Sequence, residues 1–308
     1  MIVVVCPGQG SQTPGFMLPW LDLPAFRTSI ESMQAASSVD LVEHGTVSDA
    51  DTIRDTAVAQ PLIVSAGVAT LAALFNQSGL VSEKISGVAG HSVGEITAAV
   101  ASGVFTAEQG IKFVKERGDA MALAAGLEPT SMAAILGGDQ ATVEARLAEL
   151  GLEPANYNGG GQIVAAGSAA GIAELQAEGP AGSRVIPLQV AGAFHTRYMA
   201  PAVSTLAAYA AGLTVEDPIA KLWTNAGGRS ITSGPEFVEL MVNQVKSPVR
   251  WDLCMEAMVQ AGVTALIEVA PAGTLVGLAK RSMPGIETLA IKSPENLDAA
   301  IALIANHA

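Results

Sequence analysis

The first residues, Met1 to Cys6, form an unbroken apolar run rich in β-branched side chains and stopped by Pro7-Gly8. A short run of that kind, bounded by turn residues, predicts a strand buried on both faces. Gln60 to Phe75 is apolar almost all round and too long for a strand, so it predicts a buried helix. Ile85 to Ala89 predicts a second strand. Val93 to Val104 and Ala107 to Ala125 predict two consecutive helices, the second opened by Thr106 with Gln109 in a capping-box arrangement. Strand, helix, strand, helix in this order implies a parallel sheet with helices on its faces.

The pattern changes near Gly126-Leu127-Glu128-Pro129. Ser131 to Leu136, Glu153 to Tyr157, Gln162 to Ala166 and Arg184 to Gln189 predict strands, with helices at Gln140 to Leu150 and Ala169 to Gly179. This βαββαβ order is the ferredoxin-like signature. Residues 127–190 are therefore expected to be a small α+β domain inserted into a discontinuous α/β domain of residues 1–126 and 191–308. The later chain predicts helices at Pro235 to Val245, Asp252 to Ala261 and Asn296 to Ala308, and a strand at Ala265 to Val269.

Composition narrows the classes of function. The 308 residues, half of them apolar, suffice for one or two domains. A net charge of −13 argues against broad nucleic-acid binding. Cys6 and Cys254 are expected to be buried small hydrophobes, which argues against a disulfide scaffold and suits a reducing compartment. No Cys/His cluster has metal-ligand spacing. The start lacks a basic segment, and no apolar run is expected to reach the ~18 residues of a membrane helix. A soluble cytoplasmic protein is expected.

The chemistry centres on Gly90-His91-Ser92-Val93-Gly94. A G-x-S-x-G pentapeptide between a strand and a helix is a nucleophile elbow: the glycines permit the tight turn, and the following helix points its positive end at the serine. It predicts acyl transfer through a serine ester. Four histidines compete for the role of base. His91 is expected to point away from the reacting face, His44 lies far from other motifs, and His307 sits in a terminus expected to fray. His195, in the loop leaving the inserted segment, is the candidate general acid/base. The oxyanion donors are expected to be the N–H of Val93 and the loop Pro7-Gly8-Gln9-Gly10-Ser11-Gln12, which is neither a dinucleotide fingerprint nor a P-loop. Arg117 is either a carboxylate-binding arginine or a surface arginine paired with a neighbouring acid.

These motifs together resemble the malonyl-CoA:acyl carrier protein transacylase family of bacterial fatty acid synthesis, over nearly the whole chain. The stretches that carry the resemblance are PGQGSQ (7–12), AQPLI (59–63), GHSVGE (90–95), ERGDAM (116–121), NYNGGGQIVAAG (156–167), GAFHTRYM (192–199), QVKSPVRW (244–251) and EVAPAGTLVGLAKR (268–281). The resemblance implies an α/β-hydrolase-like large domain with a ferredoxin-like insertion. It implies that Ser92 is acylated by malonyl-CoA, that His195 activates it, and that a backbone carbonyl at Gln244 orients the histidine. Gln9 and Val93 match the oxyanion donors and Arg117 the partner of the malonate carboxylate, while Gln60, Asn158 and Met121 match the pocket. Phe194, in GAFH, looks like the malonyl-preferring form. The acceptor would be the phosphopantetheine thiol of acyl carrier protein, with no cofactor and a monomeric enzyme. Carrier proteins are acidic, so Lys246, Arg250, Lys280 and Arg281 are candidate docking residues.

Other readings stay open on the residues alone. A lipase- or thioesterase-type hydrolase would need an acid between Ser92 and His195, and Asp119 and Asp139 lie in that interval. A patatin-like hydrolase would need an Asp-Gly pair, which the chain lacks. The malonyl-transfer subunit of malonate decarboxylase shares these motifs. A binding module would leave Ser92, His195 and Arg117 unexplained together.

Overall fold

The computed structural model describes residues 1–75 and 81–307. The strands are β1 (Ile2–Cys6), β2 (Gly87–Gly90), β3 (Thr130–Gly137), β4 (Glu153–Gly159), β5 (Gln162–Ser168), β6 (Ser183–Leu188), β7 (Lys221–Trp223), β8 (Ser230–Ile231), β9 (Val249–Arg250), β10 (Ala265–Glu268) and β11 (Glu287–Ala290). The helices are α1 (Pro24–Ser37), α2 (Leu41–Thr46), α3 (Thr56–Leu74), α4 (Gly94–Ala101), α5 (Ala107–Ala125), α6 (Gln140–Glu149), α7 (Ala169–Ala177), α8 (Ala200–Ala210), α9 (Gly234–Gln244), α10 (Trp251–Gln260), α11 (Thr274–Ser282) and α12 (Leu297–His307). The expected end of the last helix, Ala308, lies outside the described residues.

The large sheet runs β11-β10-β1-β2-β7-β8, parallel except for β8. Its first strand is buried at every position, as its continuous apolar run requires. From β1 the chain builds outward through β2 to β7, and it returns on the other side as β10. The connections therefore diverge at the carboxyl ends of β1 and β10. That divergence opens a crevice where an open α/β sheet binds its ligand.

Helix α3 starts one turn earlier than the sequence suggests. The expected start at Gln60 rested on the apolar run alone, whereas Pro61, which lacks an N–H, is tolerated inside the helix. In the structure the side chain of Asp55 accepts from the N–H of Ala57 and caps an added turn, leaving Pro61 inside. The helix is consequently 19 residues, long and apolar enough by composition to cross a membrane, contrary to expectation. Nearly all of it is buried, packed against α1, α4 and α5. Helix α4 ends at Ala101, short of the expected Val104, because Ser102 caps it and Gly103 takes φ +81°.

The second sheet has the order β6-β3-β5-β4, antiparallel throughout, with α6 and α7 packed on it. Ile135, Val143, Leu147, Leu152 and Leu175 form a small core of their own. A fifth strand joins from outside residues 127–190: β9 pairs parallel to β4, Asn156 opposite Val249 and Tyr157 opposite Arg250. The Arg250 guanidinium lies 4.6 Å from the centroid of the Tyr157 ring and also binds Asp252 at 2.8 Å. The two sheets thus meet beside the crevice.

Candidate active site

Strand β2 ends at Gly90, and the chain turns through His91, Ser92 and Val93 into α4. Ser92 adopts φ +54°, a left-handed conformation uncommon for a residue with a Cβ. The turn needs its flanking glycines for want of space. A Cβ on Gly90 would lie 2.0 Å from the carbonyl carbon of Gly94, and one on Gly94 would lie 2.1 Å from the carbonyl oxygen of Cys6. These are backbone atoms that cannot step aside, so the elbow is pressed against the end of β1.

Ser92 Oγ lies 2.7 Å from His195 Nε2. His195 also has a positive φ, +62°, and its N–H donates to the carbonyl of Val245 at 2.9 Å. His195 Nδ1 donates to the carbonyl of Gln244 at 2.8 Å. Since a carbonyl only accepts, Nδ1 carries the proton and Nε2 is left to accept from Ser92. The candidate acids of a hydrolase triad are occupied elsewhere: Asp119 pairs with Lys115, and Asp139 caps α6 through the N–H of Thr142. Burial, followed by the positive charge of Arg117, pushes the His195 imidazole down to about 3.

Arg117 is 1 % exposed, which removes the surface reading. Its Nη1 donates to Gln60 Oε1 at 2.7 Å and its Nη2 to Gln244 Oε1 at 2.8 Å. Both acceptors are neutral amides, and among the described residues no carboxylate forms an ion pair with it. A buried guanidinium without a counter-ion in contact is an anion site. Burial pushes its pKa down to about 10, with Glu95 acting in the opposite direction.

A cleft of about 270 Å³ brings Ser92, His195, Gln9, Gln60, Met121, Asn158 and Phe194 onto one surface. Gly8 and Gly10 of the loop after β1 line it, as do Thr274, Leu275 and Leu278 of α11. Val93 and Gln244 are buried behind it, Val93 as the N-cap of α4. Among the described residues no group of three or more His, Cys, Asp or Glu could hold a metal. The four docking candidates stand outside the cleft. Lys246, Lys280 and Arg281 are exposed, whereas Arg250 is held by Asp252 and Tyr157.

His91 does not point away, contrary to expectation. It lines the same cleft and its Nε2 lies 2.8 Å from Asn158 Oδ1. The left-handed backbone at Ser92 turns consecutive side chains toward a common face, which strand alternation would not do. His307 is not loose either: it contacts Thr264 Oγ1 at 2.9 Å and Glu287 at 3.0 Å. His44 pairs with Ser48, away from the cleft. Two buried residues that were not singled out complete the site. Glu95 accepts from Gln244 Nε2 at 2.5 Å and from the N–H of Asn225 at 2.6 Å. Glu95 carried a signal, a carboxylate inside an otherwise apolar helix. Asn225, in a Gly-rich turn, carried none.

The elbow on a parallel sheet, the histidine oriented by a carbonyl and the guanidinium buried behind Gln60 of the cleft wall fit an acyltransferase of the α/β class. The chain belongs to the acyl transferase domain family, whose model matches residues 3–292. It is 46% identical over 298 residues to the malonyl CoA-acyl carrier protein transacylase of Mycobacterium tuberculosis, covering 97% of this chain and 98% of that one. The protein of that name from Bacillus subtilis is 32% identical over 313 residues, covering 97% and 96%. The crystal structure of the Mycobacterium tuberculosis enzyme superimposes with a TM-score of 0.93 at 45% identity, over 97% of this chain and 99% of that one. A malonyl-transacylase solved in complex with a type II polyketide acyl-carrier protein matches with a TM-score of 0.91 at 27% identity, over 98% and 99%.

Proposed function

We propose that the chain transfers the malonyl group of malonyl-CoA to the phosphopantetheine thiol of acyl carrier protein through a malonyl-serine, supplying fatty acid synthesis. The observation that carries this reading is the joint presence of the Ser92–His195–Gln244 carbonyl relay and the unpaired Arg117 in one buried site. His195 Nε2 takes the Ser92 hydroxyl proton while Oγ bonds to the thioester carbon. The carbon–sulfur bond breaks, and coenzyme A leaves with the proton from His195. The carrier thiol then gives its proton to His195 and its sulfur attacks the ester carbon; the Oγ–carbon bond breaks, and Ser92 Oγ takes that proton back from His195. No step changes oxidation state or calls for a cofactor.

The Val93 N–H, at the N-cap of α4, serves the developing oxyanion with Gln9. Arg117 receives the substrate carboxylate beside Gln60, and Met121 and Asn158 complete the wall. Phe194 fills the space an α-methyl group would need. Residues 127–190 act as an inserted unit on the frame of 1–126 and 191–308, and their separate core supports this. Arg281 reaches Gln162 of the cleft wall at 3.2 Å, which favours Lys280 and Arg281 over Arg250 as carrier contacts, with Lys246 further along. We read the enzyme as a cytoplasmic monomer that binds neither nucleic acid nor membrane, and the burial of α3 supports the last point.

Intact-mass spectrometry after brief mixing tests the whole scheme. Malonyl-CoA should give one malonyl adduct, acetyl-CoA little, and carrier protein should discharge it. Rapid release of free malonate without carrier would replace this reading with a hydrolase.

The pH dependence tests the base. The unprotonated imidazole is the active form, and it is lost only as pH falls through its pKa. Because kcat/KM reports the free enzyme, its acid limb should lie well below the ordinary histidine value of 6.5. Arg117 is the second cause of the depression, so a bound carboxylate that offsets its charge should raise the pKa. The acid limb of kcat for malonyl-CoA should therefore sit at higher pH than that of kcat/KM. Coincident limbs near 6.5 would rule out a buried, cation-coupled base.

A further inference from the structure

Strand β7 follows β2 rung by rung, Gly87 opposite Lys221, Val88 opposite Leu222 and Ala89 opposite Trp223, and there the backbone pairing stops. Two residues past Trp223, the side chain of Asn225 takes over. Its Nδ2 donates to the carbonyl of Gly90 at 2.8 Å, and its Oδ1 accepts from the N–H of Ser92 at 2.8 Å. In a parallel ladder one residue bonds the carbonyl before, and the N–H after, the residue it faces. The carboxamide reproduces that pattern around His91, donor and acceptor in the places of a peptide unit. On the opposite side the N–H of His91 donates to Cys6 at 2.9 Å, so the elbow is gripped by β1 and by Asn225 together.

We infer that Asn225 is a positioning residue for the acyl transfer: its carboxamide serves as an added sheet rung that holds Ser92 in its left-handed turn, with Oγ at His195. The inference rests on Ser92 being the nucleophile. Asn225 is itself fully buried and fixed. Its N–H donates to Glu95 Oε1, while Gln244 Nε2 contacts Asn225 Oδ1 at 3.1 Å, Glu95 Oε2 at 2.5 Å and the Ser92 carbonyl at 3.2 Å. Residues 90–95, 225 and 244 thereby form one closed hydrogen-bonded circuit, and Gln244 also supplies the carbonyl that orients His195. The rung has a second consequence. The Ser92 N–H is committed to Asn225, so the oxyanion must be served by the next N–H along, that of Val93.

The test compares the full-length wild type with Asn225→Ala, which removes the rung, and Asn225→Asp, which keeps the acceptor for Ser92 and turns the donor to Gly90 into a second acceptor. Single-turnover acylation is followed with malonyl-CoA and with acetyl-CoA, and folding by near-ultraviolet circular dichroism. A misplaced nucleophile should lower kcat by on the order of 100-fold, with KM for malonyl-CoA held within about 3-fold. The malonyl-to-acetyl ratio should equal that of the wild type, because Arg117 is untouched. Acylation rates within about 3-fold of wild type in both variants would overturn the inference, as would a loss confined to KM or one that matches the unfolded fraction. If Asn225→Ala does not fold, Asn225→Asp is read by the same criteria. A Ser92→Ala control that still forms the adduct would instead overturn the nucleophile assignment and leave the rung geometry standing.

Discussion

Ser92→Ala is expected to abolish the acyl-enzyme and to lower turnover by on the order of 10⁵-fold, with His195→Ala losing nearly as much. In the proposed mechanism the two residues act as one unit: the 2.7 Å contact would let the imidazole take the hydroxyl proton as the ester forms. Their effects should therefore not multiply, and the double variant should be little worse than either single one. Both positions accept alanine sterically, since the residue left behind is smaller, although each sits at positive φ and loses local hydrogen bonds. Thermal unfolding of each variant separates lost chemistry from lost fold. Release of coenzyme A in a pre-steady-state burst, read beside intact mass, measures the chemical step. A Ser92→Ala enzyme that still accumulates adduct, or losses that multiply in the double variant, would remove Ser92 and His195 from the centre of the mechanism.

Such a result would also bear on how the site is written in the sequence. Local patterns were legible. The run at β1, the capping box at Thr106 and Gln109, and the βαββαβ order each depend on residues close in the chain, and each reappears within a few positions. Ser92 and His195, the proposed nucleophile and base, were legible as residue types in loops after predicted elements. What could not be read is whatever joins distant segments. The pairing of β9 with β4 involves two residues nearly a hundred positions away and has no periodicity to announce it. Asn225 looks like an ordinary turn asparagine until the end of β7 brings it to the elbow. His91 was expected to point away from its place before Ser92 alone, and the left-handed backbone at Ser92 that brings it to the cleft has no local signal. The start of α3 was set too late because the polar turn capped by Asp55 lies outside the apolar run.

Arg117→Ala is expected to invert acyl selectivity: kcat/KM for malonyl-CoA should fall by about 10³-fold while that for acetyl-CoA holds or rises. The direction follows from the surroundings of the guanidinium. Both of its contacts are amide oxygens, and Gln244 stands between it and Glu95, with its oxygen toward Arg117 and its nitrogen toward the carboxyl. The nearest acid is thus kept at one remove, and the positive charge is left for an incoming carboxylate. A substrate so held is also held in register for Ser92, which excludes productive poses of acyl groups that lack the anchor. Removing the charge has an opposite effect on the neutral substrate, because an uncompensated buried cation disappears and the depression it imposes on His195 is relieved. Arg117→Lys should recover only part of the malonyl activity: a point charge cannot keep both amide contacts and still offer a fork to the carboxylate. Competition between equal malonyl-CoA and acetyl-CoA, read by the adduct masses on Ser92, measures the ratio directly. Retained discrimination in Arg117→Ala would mean that the carboxylate is recognised elsewhere in the cleft, with His91 and Asn158 the next groups to test.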